Sequence, residues 1–313
     1  MKKKIAWVGT FIRDEICTLD GQTLESIGGL YHGLAYAAFL AGDRFDLYPL
    51  ARVGENFLPD LQAHLAQLPG VNMDLLIPDP APNTSVRLVY KSATERDEFT
   101  SPLLPPLDAD DCRLLADCEG VAINMISGAD ITLEALLWLK EHGRGPVYFD
   151  FHTLAQGISD EGRRFYRKPE HWETWLTTPD FVQMNEHEAA LLGDLAASDE
   201  QELRRFITRV LLQGPQGVSV TLGARGVLAG YRTGAHVEVH HYRHELPASA
   251  VRDIIGCGDA YGAALFTALL SGHEFFPAVE FATRIATLNT TFLGSVTAQL
   301  FEEKIKPHAD FTH

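Results

Sequence analysis

Late in this chain a glycine-rich turn carrying an acid, Gly256-Cys257-Gly258-Asp259, runs directly into an apolar stretch of small residues over 260–270. Glycines at 256 and 258 let the backbone turn its N–H groups toward one point, and the positive end of a following helix dipole adds to the attraction for an anion. A carboxylate beside a phosphate site repels the ligand. Asp259 therefore either has a task, accepting a proton from a hydroxyl that attacks the phosphate, or merely caps the helix, a position Asp favours. Three more segments place polar or glycine positions at the ends of short apolar runs: Asp150, Asn185 and Gly223. Ligands of parallel sheets sit beyond the carboxyl ends of the strands, so these segments are expected to converge on one crevice.

The elements that must position them follow from the apolar pattern. From residue 118 onward short strands at 121–125, 147–151, 181–184 and 218–221 alternate with helices at 132–141, 186–192 and 201–212, which predicts a parallel sheet with helices on both faces. Before them come a buried-type strand at 5–9, an Ala-rich helix at 34–40 opened by Gly28-Gly29, a strand at 47–53 and a helix at 57–68. Residues 11–26 and 84–100 mix apolar and polar positions in strand fashion, with a return arm beginning near Glu95, and predict a small sheet outside the main layer.

At 313 residues and 46% hydrophobic, the chain can bury one large α/β core over 1–313. A net charge of −16 argues against nucleic acid or an anionic membrane as the main partner. Cys17, Cys112, Cys118 and Cys257 form no Cys-x-x-Cys pair and no ligand spacing with His, which predicts reduced thiols, a cytoplasmic protein and no zinc. The basic start leads into a short apolar run ending in Arg13-Asp14-Glu15 and reads as a first strand rather than a signal peptide. No apolar run approaches the roughly 20 residues that span a bilayer.

Taken together, these residues resemble the ribokinase-like (PfkB-type) carbohydrate kinases over nearly the whole chain. Asp253-Ile254-Ile255-Gly256-Cys257-Gly258-Asp259 resembles the family's Asp-Thr-x-Gly-Ala-Gly-Asp signature, and Gly28, Gly29 and Ala35 its N-terminal glycine signature. Val53 to Asn56, Asn185 to Glu188 and Thr221 to Gly226 resemble the Val-Gly-x-Asp, Asn-x-x-Glu and Thr-x-Gly-x-x-Gly motifs, in family order. The resemblance implies a three-layer α/β/α fold with a β-sheet lid, and transfer of the ATP γ-phosphoryl to a sugar or nucleoside hydroxyl. It further implies Asp259 as base, with the N–H groups of Gly256, Cys257 and Gly258 as anion hole. Asn185 and Glu188 would organise Mg²⁺, and Thr221, Gly223, Gly226 and Asp253 would serve the nucleotide. Asp14, Gly28, Gly29, Asp150 and their neighbours would hold the sugar.

Departures shift the expected substrate. Gly33 and His152 stand where the family often has sugar-binding Asn residues, which makes His32 and His152 candidate replacements. Ile254 and Cys257 replace the usual Thr and Ala. Trp172 and Trp175 are read as packing residues, since large aromatics usually serve burial. A dehydrogenase using Gly256-x-Gly258 lacks the early βαβ unit that chemistry needs, and a catalytically silent member is opposed by the retained Asp259. The small sheet, tethered at both ends with Ile12, Ile16, Val86, Leu88 and Tyr90 needing cover, predicts a homodimer formed through it.

Overall fold

The computed structural model describes residues 2–90 and 96–309, with only the backbone of Tyr90 and Arg96; the start of the expected return arm at Glu95 lies outside the described residues. In chain order the strands are β1 (Lys3–Val8), β2 (Phe11–Cys17), β3 (Thr23–Gly29), β4 (Phe45–Gly54), β5 (Leu76–Asp79), β6 (Ser85–Tyr90), β7 (Arg96–Thr100), β8 (Gly120–Asn124), β9 (Val147–Asp150), β10 (Gln156–Ile158), β11 (Arg164–Tyr166), β12 (Phe181–Asn185), β13 (Gly217–Thr221), β14 (Val227–Thr233) and β15 (His236–Tyr242).

Nine of them form the main sheet in the order β15-β14-β13-β12-β9-β8-β1-β4-β5. All neighbours from β13 to β5 pair in parallel, while β14 and β15 fold back antiparallel at one edge. Both faces are covered, which is why the strands read as near-continuous apolar runs. Ile5, Trp7, Ala122, Tyr148 and Phe181 join the core under helices Leu30–Ala41, Cys257–Leu270 and Phe275–Asn289. Ala6, Val8, Ile123, Phe149 and Val182 join the opposite core, with helices Leu133–His142 and Glu200–Leu211. Trp175 packs there against Phe149, ring centroids 5.7 Å apart, as burial of a large aromatic demands.

The helix Cys257–Leu270 is largely buried, and its small residues let it lie close on the sheet. A Cβ at Gly262 would stand 2.7 Å from the Tyr148 hydroxyl and 2.9 Å from Gln183 Oε1. Gly262→Val is therefore expected to lower stability by about 1–3 kcal/mol, the usual cost of overpacking, and thermal melting of the purified variant checks it.

The small sheet has the order β3-β2-β6-β7, with β2 and β6 parallel. Its edge strand β7 meets the β10–β11 hairpin through a bridge between Phe99 and Arg163. Alternation along β2, β3, β6 and β7 turns Ile12, Asp14, Ile16, Leu24, Ser26, Val86, Leu88 and Glu98 toward one cleft. The other face carries the Arg87–Glu15 pair at 3.1 Å and the Arg13–Asp60 pair at 2.9 Å.

Several boundaries differ from expectation. Gly28 and Gly29 end β3 instead of forming a turn ahead of the helix, which begins at Leu30 rather than at 34. Gly29, at φ 62, is the hinge between the two elements, a conformation that favours glycine. The helix expected over 57–68 is confined to Leu58–Leu65. The β14–β15 edge pair was not anticipated: β14 buries the apolar run Val227–Gly230, whereas β15 alternates exposed and half-buried residues and has no such run. No helix among the described residues is long and apolar enough to cross a membrane.

Candidate active site

A cleft of about 1830 Å³ lies between the carboxyl ends of the parallel strands, the N-terminus of helix Cys257–Leu270 and the small sheet. The turn over Gly256 to Asp259, Asp14, Gly29, His32, Asp150, His152, Asn185, Glu188, Thr221, Gly223, Gly226 and Asp253 all line it. Gly28 and Gly33 do not; they lie beneath. The Asp14 carboxylate rests on the bare face of Gly28, where any Cβ would overlap it. A Cβ on Gly33 would meet the Trp7 ring at 3.3 Å and the Asp259 Cβ at 3.8 Å, so this position gives room to the acid rather than a contact to a ligand.

The helix start is held from below by a row of polar residues at one level of the sheet. Asn124, Asp150, Gln183 and Ser219 sit side by side in register on β8, β9, β12 and β13, each buried. Gln183 Nε2 donates to the Gly258 carbonyl at 3.0 Å, and the Tyr148 hydroxyl donates to Gln183 Oε1. Ser219 bonds the Tyr261 hydroxyl at 2.7 Å, one turn along the helix. Asn124 Nδ2 spans two acids, 3.4 Å from Asp150 Oδ2 and 3.5 Å from Asp259 Oδ1. Polar groups so deep are stable only when bonded, and here their bonds fix where the helix begins.

Gly256 adopts the left-handed conformation at φ 73 and caps the helix. The Cys257 N–H makes a long bond to the Ile254 carbonyl at 3.5 Å, whereas no bond within the described residues is made by the N–H groups of Gly256 and Gly258. Buried Asn289 supports the turn by donating to the Ile255 carbonyl at 2.8 Å and to Cys257 Sγ at 3.4 Å. Asp253 accepts from the Ile255 N–H at 3.0 Å and the Gly294 N–H at 3.3 Å, closing the segment ahead of the turn. Burial pushes Asp259 up to about 7. Burial also holds Asp150 well above the usual carboxylate range, with the charges of Glu188 and Asp259 adding to it.

Asn185 and Glu188 form a reciprocal capping box at the start of helix Glu186–Gly193. Asn185 Oδ1 accepts from the His187 and Glu188 N–H groups at 2.9 Å, while Glu188 accepts from the Asn185 N–H at 2.8 Å and from Nδ2 at 2.6 Å. Burial pushes Glu188 up to about 8, opposed by the bond from the Asn185 N–H. Beside it the turn Gly223–Arg225 is anchored by Arg225 pairing with Glu186 and by His241 bonding the Arg225 carbonyl at 2.7 Å. Gly226, at φ 96, approaches the Tyr242 carbonyl too closely for any side chain.

His32 bonds Ser295 Oγ at 2.9 Å, and burial holds it down to about 4 despite the charge of Asp253. His152 takes φ 32, rare for a residue with a side chain, and burial together with the Arg164 charge lowers it to about 4. Both imidazoles are thus neutral at pH 7. Asn124, Gln183, Asn289 and Arg164 were not anticipated as site residues. The first two had a legible signal, an amide inside an otherwise apolar interior strand.

Residues 129–300 match the model of the pfkB family carbohydrate kinases. A ribokinase of Thermotoga maritima superposes with a TM-score of 0.75 at 19% identity, covering 98% of this chain and 100% of the other. The Arabidopsis thaliana ribokinase solved with ribose and ATP gives 0.73 at 18% identity over 94% and 95% of the two chains. A pyrophosphate-dependent kinase of the ribokinase family, solved with a pyrophosphate analog and myo-inositol, gives 0.74 at 18% identity over 95% and 99%. The architecture is thus the ribokinase fold, a mostly parallel sheet between helical layers with a small separate sheet. The chain belongs to the PfkB family of carbohydrate kinases.

Proposed function

We propose that this protein transfers the γ-phosphoryl of ATP to a hydroxyl of a small sugar or sugar-like substrate, with Asp259 as the base. The observation that carries the proposal is the pairing of a carboxylate raised to about 7 with the unengaged N–H groups of Gly256 and Gly258 at one helix start. A base works best with a pKa near the operating pH. Fixed N–H donors suit the charge on a transferred phosphoryl because they need no reorganisation. On this reading Cys257 completes the anion hole once its long bond to Ile254 is given up, and Asp14, Gly29, Asp150, His32 and His152 surround the acceptor.

Thr221, Gly223, Gly226 and Asp253 would bound the donor. Beyond them the cleft continues to Val251, Ile254 and Leu293, exposed at 43%, 74% and 74%. Apolar surface there suits a nucleotide base, for which pyrophosphate has no use. Glu188, bonded by the Asn185 amide, and Asp259 both act on Asp150, yet no three His, Cys, Asp or Glu groups among the described residues form a direct metal cage. Such a donor set fits a Mg²⁺ ion that keeps most of its waters. When bound, it would mask the charge of the triphosphate. Incubation with a panel of sugars, polyols and nucleosides, with Mg-ATP or pyrophosphate as donor, tests the reading through release of ADP or phosphate. A nucleoside acceptor would make it a nucleoside kinase, and no turnover with any acceptor would make it a silent binding member.

We place the kinase unit over 1–313, in the cytoplasm, with the small sheet as a lid that keeps water from the activated phosphate. Leu19 and Leu24 are exposed at 62% and 51%, and Ile16 and Val86 are only partly buried on the cleft-facing side. Leu88 and Ile12 are already covered within the chain, and the Tyr90 side chain lies outside the described residues. A homodimer through the lid would cover the rest. Light scattering is expected to give twice the chain mass at micromolar concentration and the single mass for Leu24→Glu combined with Val86→Glu; a monomeric wild type removes the dimer.

A further inference from the structure

Arg164 projects from β11 into the acceptor end of the cleft, between the lid and the ends of β8 and β9. Its Nη1 donates to the Ser127 carbonyl at 3.3 Å and its Nη2 to the Ile126 carbonyl at 3.5 Å, both long contacts. The acids that face it are Glu98 of β7 and Asp130, and neither forms an ion pair with it among the described residues. Asp130 is already taken, accepting from Thr10 Oγ1 at 2.6 Å and from the N–H groups of Ser127 and Gly128 at 3.0–3.1 Å. His152 beside it is kept neutral by burial and by the Arg164 charge itself. In a chain with a net charge of −16, this guanidinium stands half-buried without a bonded anion.

We propose that the acceptor is a sugar acid, an aldonate or uronate whose carboxylate is clasped by Arg164, an inference that deepens the kinase reading above and rests on it. Burying a cation without an anion is costly, and the planar fork of arginine matches a carboxylate with two parallel bonds. A neutral sugar would leave the guanidinium without a directly bonded anion when the lid closes, with only the more distant charges of Glu98 and Asp130 to offset it. A dianionic phosphate would ask more donors than one guanidinium flanked by two carbonyls and Glu98 supplies. The other end of the pocket is built for hydroxyls, since the carboxyl oxygens of Asp14, Asp150 and Asp259 can accept bonds from them. The two ends lie on one strand terminus. Asn124, the last residue of β8, reaches Asp259, and Ile126, just past the strand where the chain turns, receives Arg164. The acceptor would thus carry its carboxylate at one end and its attacking hydroxyl at the other.

The test is calorimetric binding of D-gluconate, D-galactonate and D-glucuronate against D-glucose, D-glucitol, myo-inositol and D-glucose 6-phosphate, with wild type, Arg164→Gln and Arg164→Lys. At least one acid is expected to bind roughly 10- to 100-fold more tightly than its neutral counterpart, the range for a charge-assisted pair. Arg164→Gln should abolish that preference, and Arg164→Lys should restore part of it. Should Arg164→Gln fail to fold, the wild-type and Arg164→Lys series decides alone. Neutral ligands matching the acids, glucose 6-phosphate binding best, no binding up to millimolar, or a preference kept in the Gln variant would each overturn the proposal. Release of ADP is read separately: an acid bound through Arg164 without turnover removes the kinase reading and keeps this one, and a neutral sugar phosphorylated in preference does the reverse.

Discussion

Asp259→Asn is expected to lower kcat by about 10²–10⁴, the usual contribution of a general base, while nucleotide binding and the fold persist. The amide matches the carboxylate in shape, so Asn124 and the first helix turn keep their places. The pH profile gives a second readout. Burial raises the acid to about 7, and the base acts only when ionised, so wild-type turnover should fall as pH drops through about 7 and level off above it. Stability runs the other way. The folded protein holds the Asp259 proton up to about 7, whereas the unfolded chain releases it near 3.8, so the contribution of this group to stability is present at low pH and lost as pH rises through 7. Asp259→Asn should therefore melt at or above the wild-type temperature at pH 8 while being the slower enzyme. An equally active variant would remove Asp259 from the mechanism.

Chelation is expected to abolish turnover entirely. The cleft walls carry Asp150, Glu188 and Asp259, all three raised by burial and Asp150 further by its acidic neighbours. A bare triphosphate would enter a site where burial already disfavours negative charge, and a cation would offset its charge there. Excess EDTA should stop ADP release, added Mg²⁺ should restore it, and the melting temperature should change little because the capping box of Asn185 and Glu188 closes on itself. Full turnover in chelator would refute the role assigned to the acids.

Much of the site was legible because its backbone requirements are written in residue types. Glycines 256 and 226 occupy the left-handed conformations that their motifs imply, and Asp150, Asn185 and Gly223 do meet at the strand ends. The parallel strands were legible because burial on both faces leaves uninterrupted apolar runs. Other parts depend on register, which single segments do not carry. Asn124 means little until β8 lies beside β9 and brings it level with Asp150. Arg164 looked like one more charged residue in a polar stretch, and only the pairing of β11 with β10 aims it at the cleft. Gly28 and Gly33 were expected to touch substrate; one makes room for Asp14 and the other for Trp7 and Asp259.

The pairing of β2 with β6 has a consequence for the order in which the molecule assembles. Arg13 lies opposite Ser85, and the helix Leu30–Ala41 and strand β4, which belong to the main layer, come between them in the chain. A parallel contact across so long a loop repays its closure entropy only after the intervening segment is in place. The lid should thus be the last part to fold and the first to open, a separate cooperative unit above a main layer that stays intact. Its amides are expected to exchange with solvent faster than those of β1, β8 and β9. On the proposed kinase reading, the same hierarchy would let the acceptor enter and the product leave without loosening the strand ends that hold Asp259.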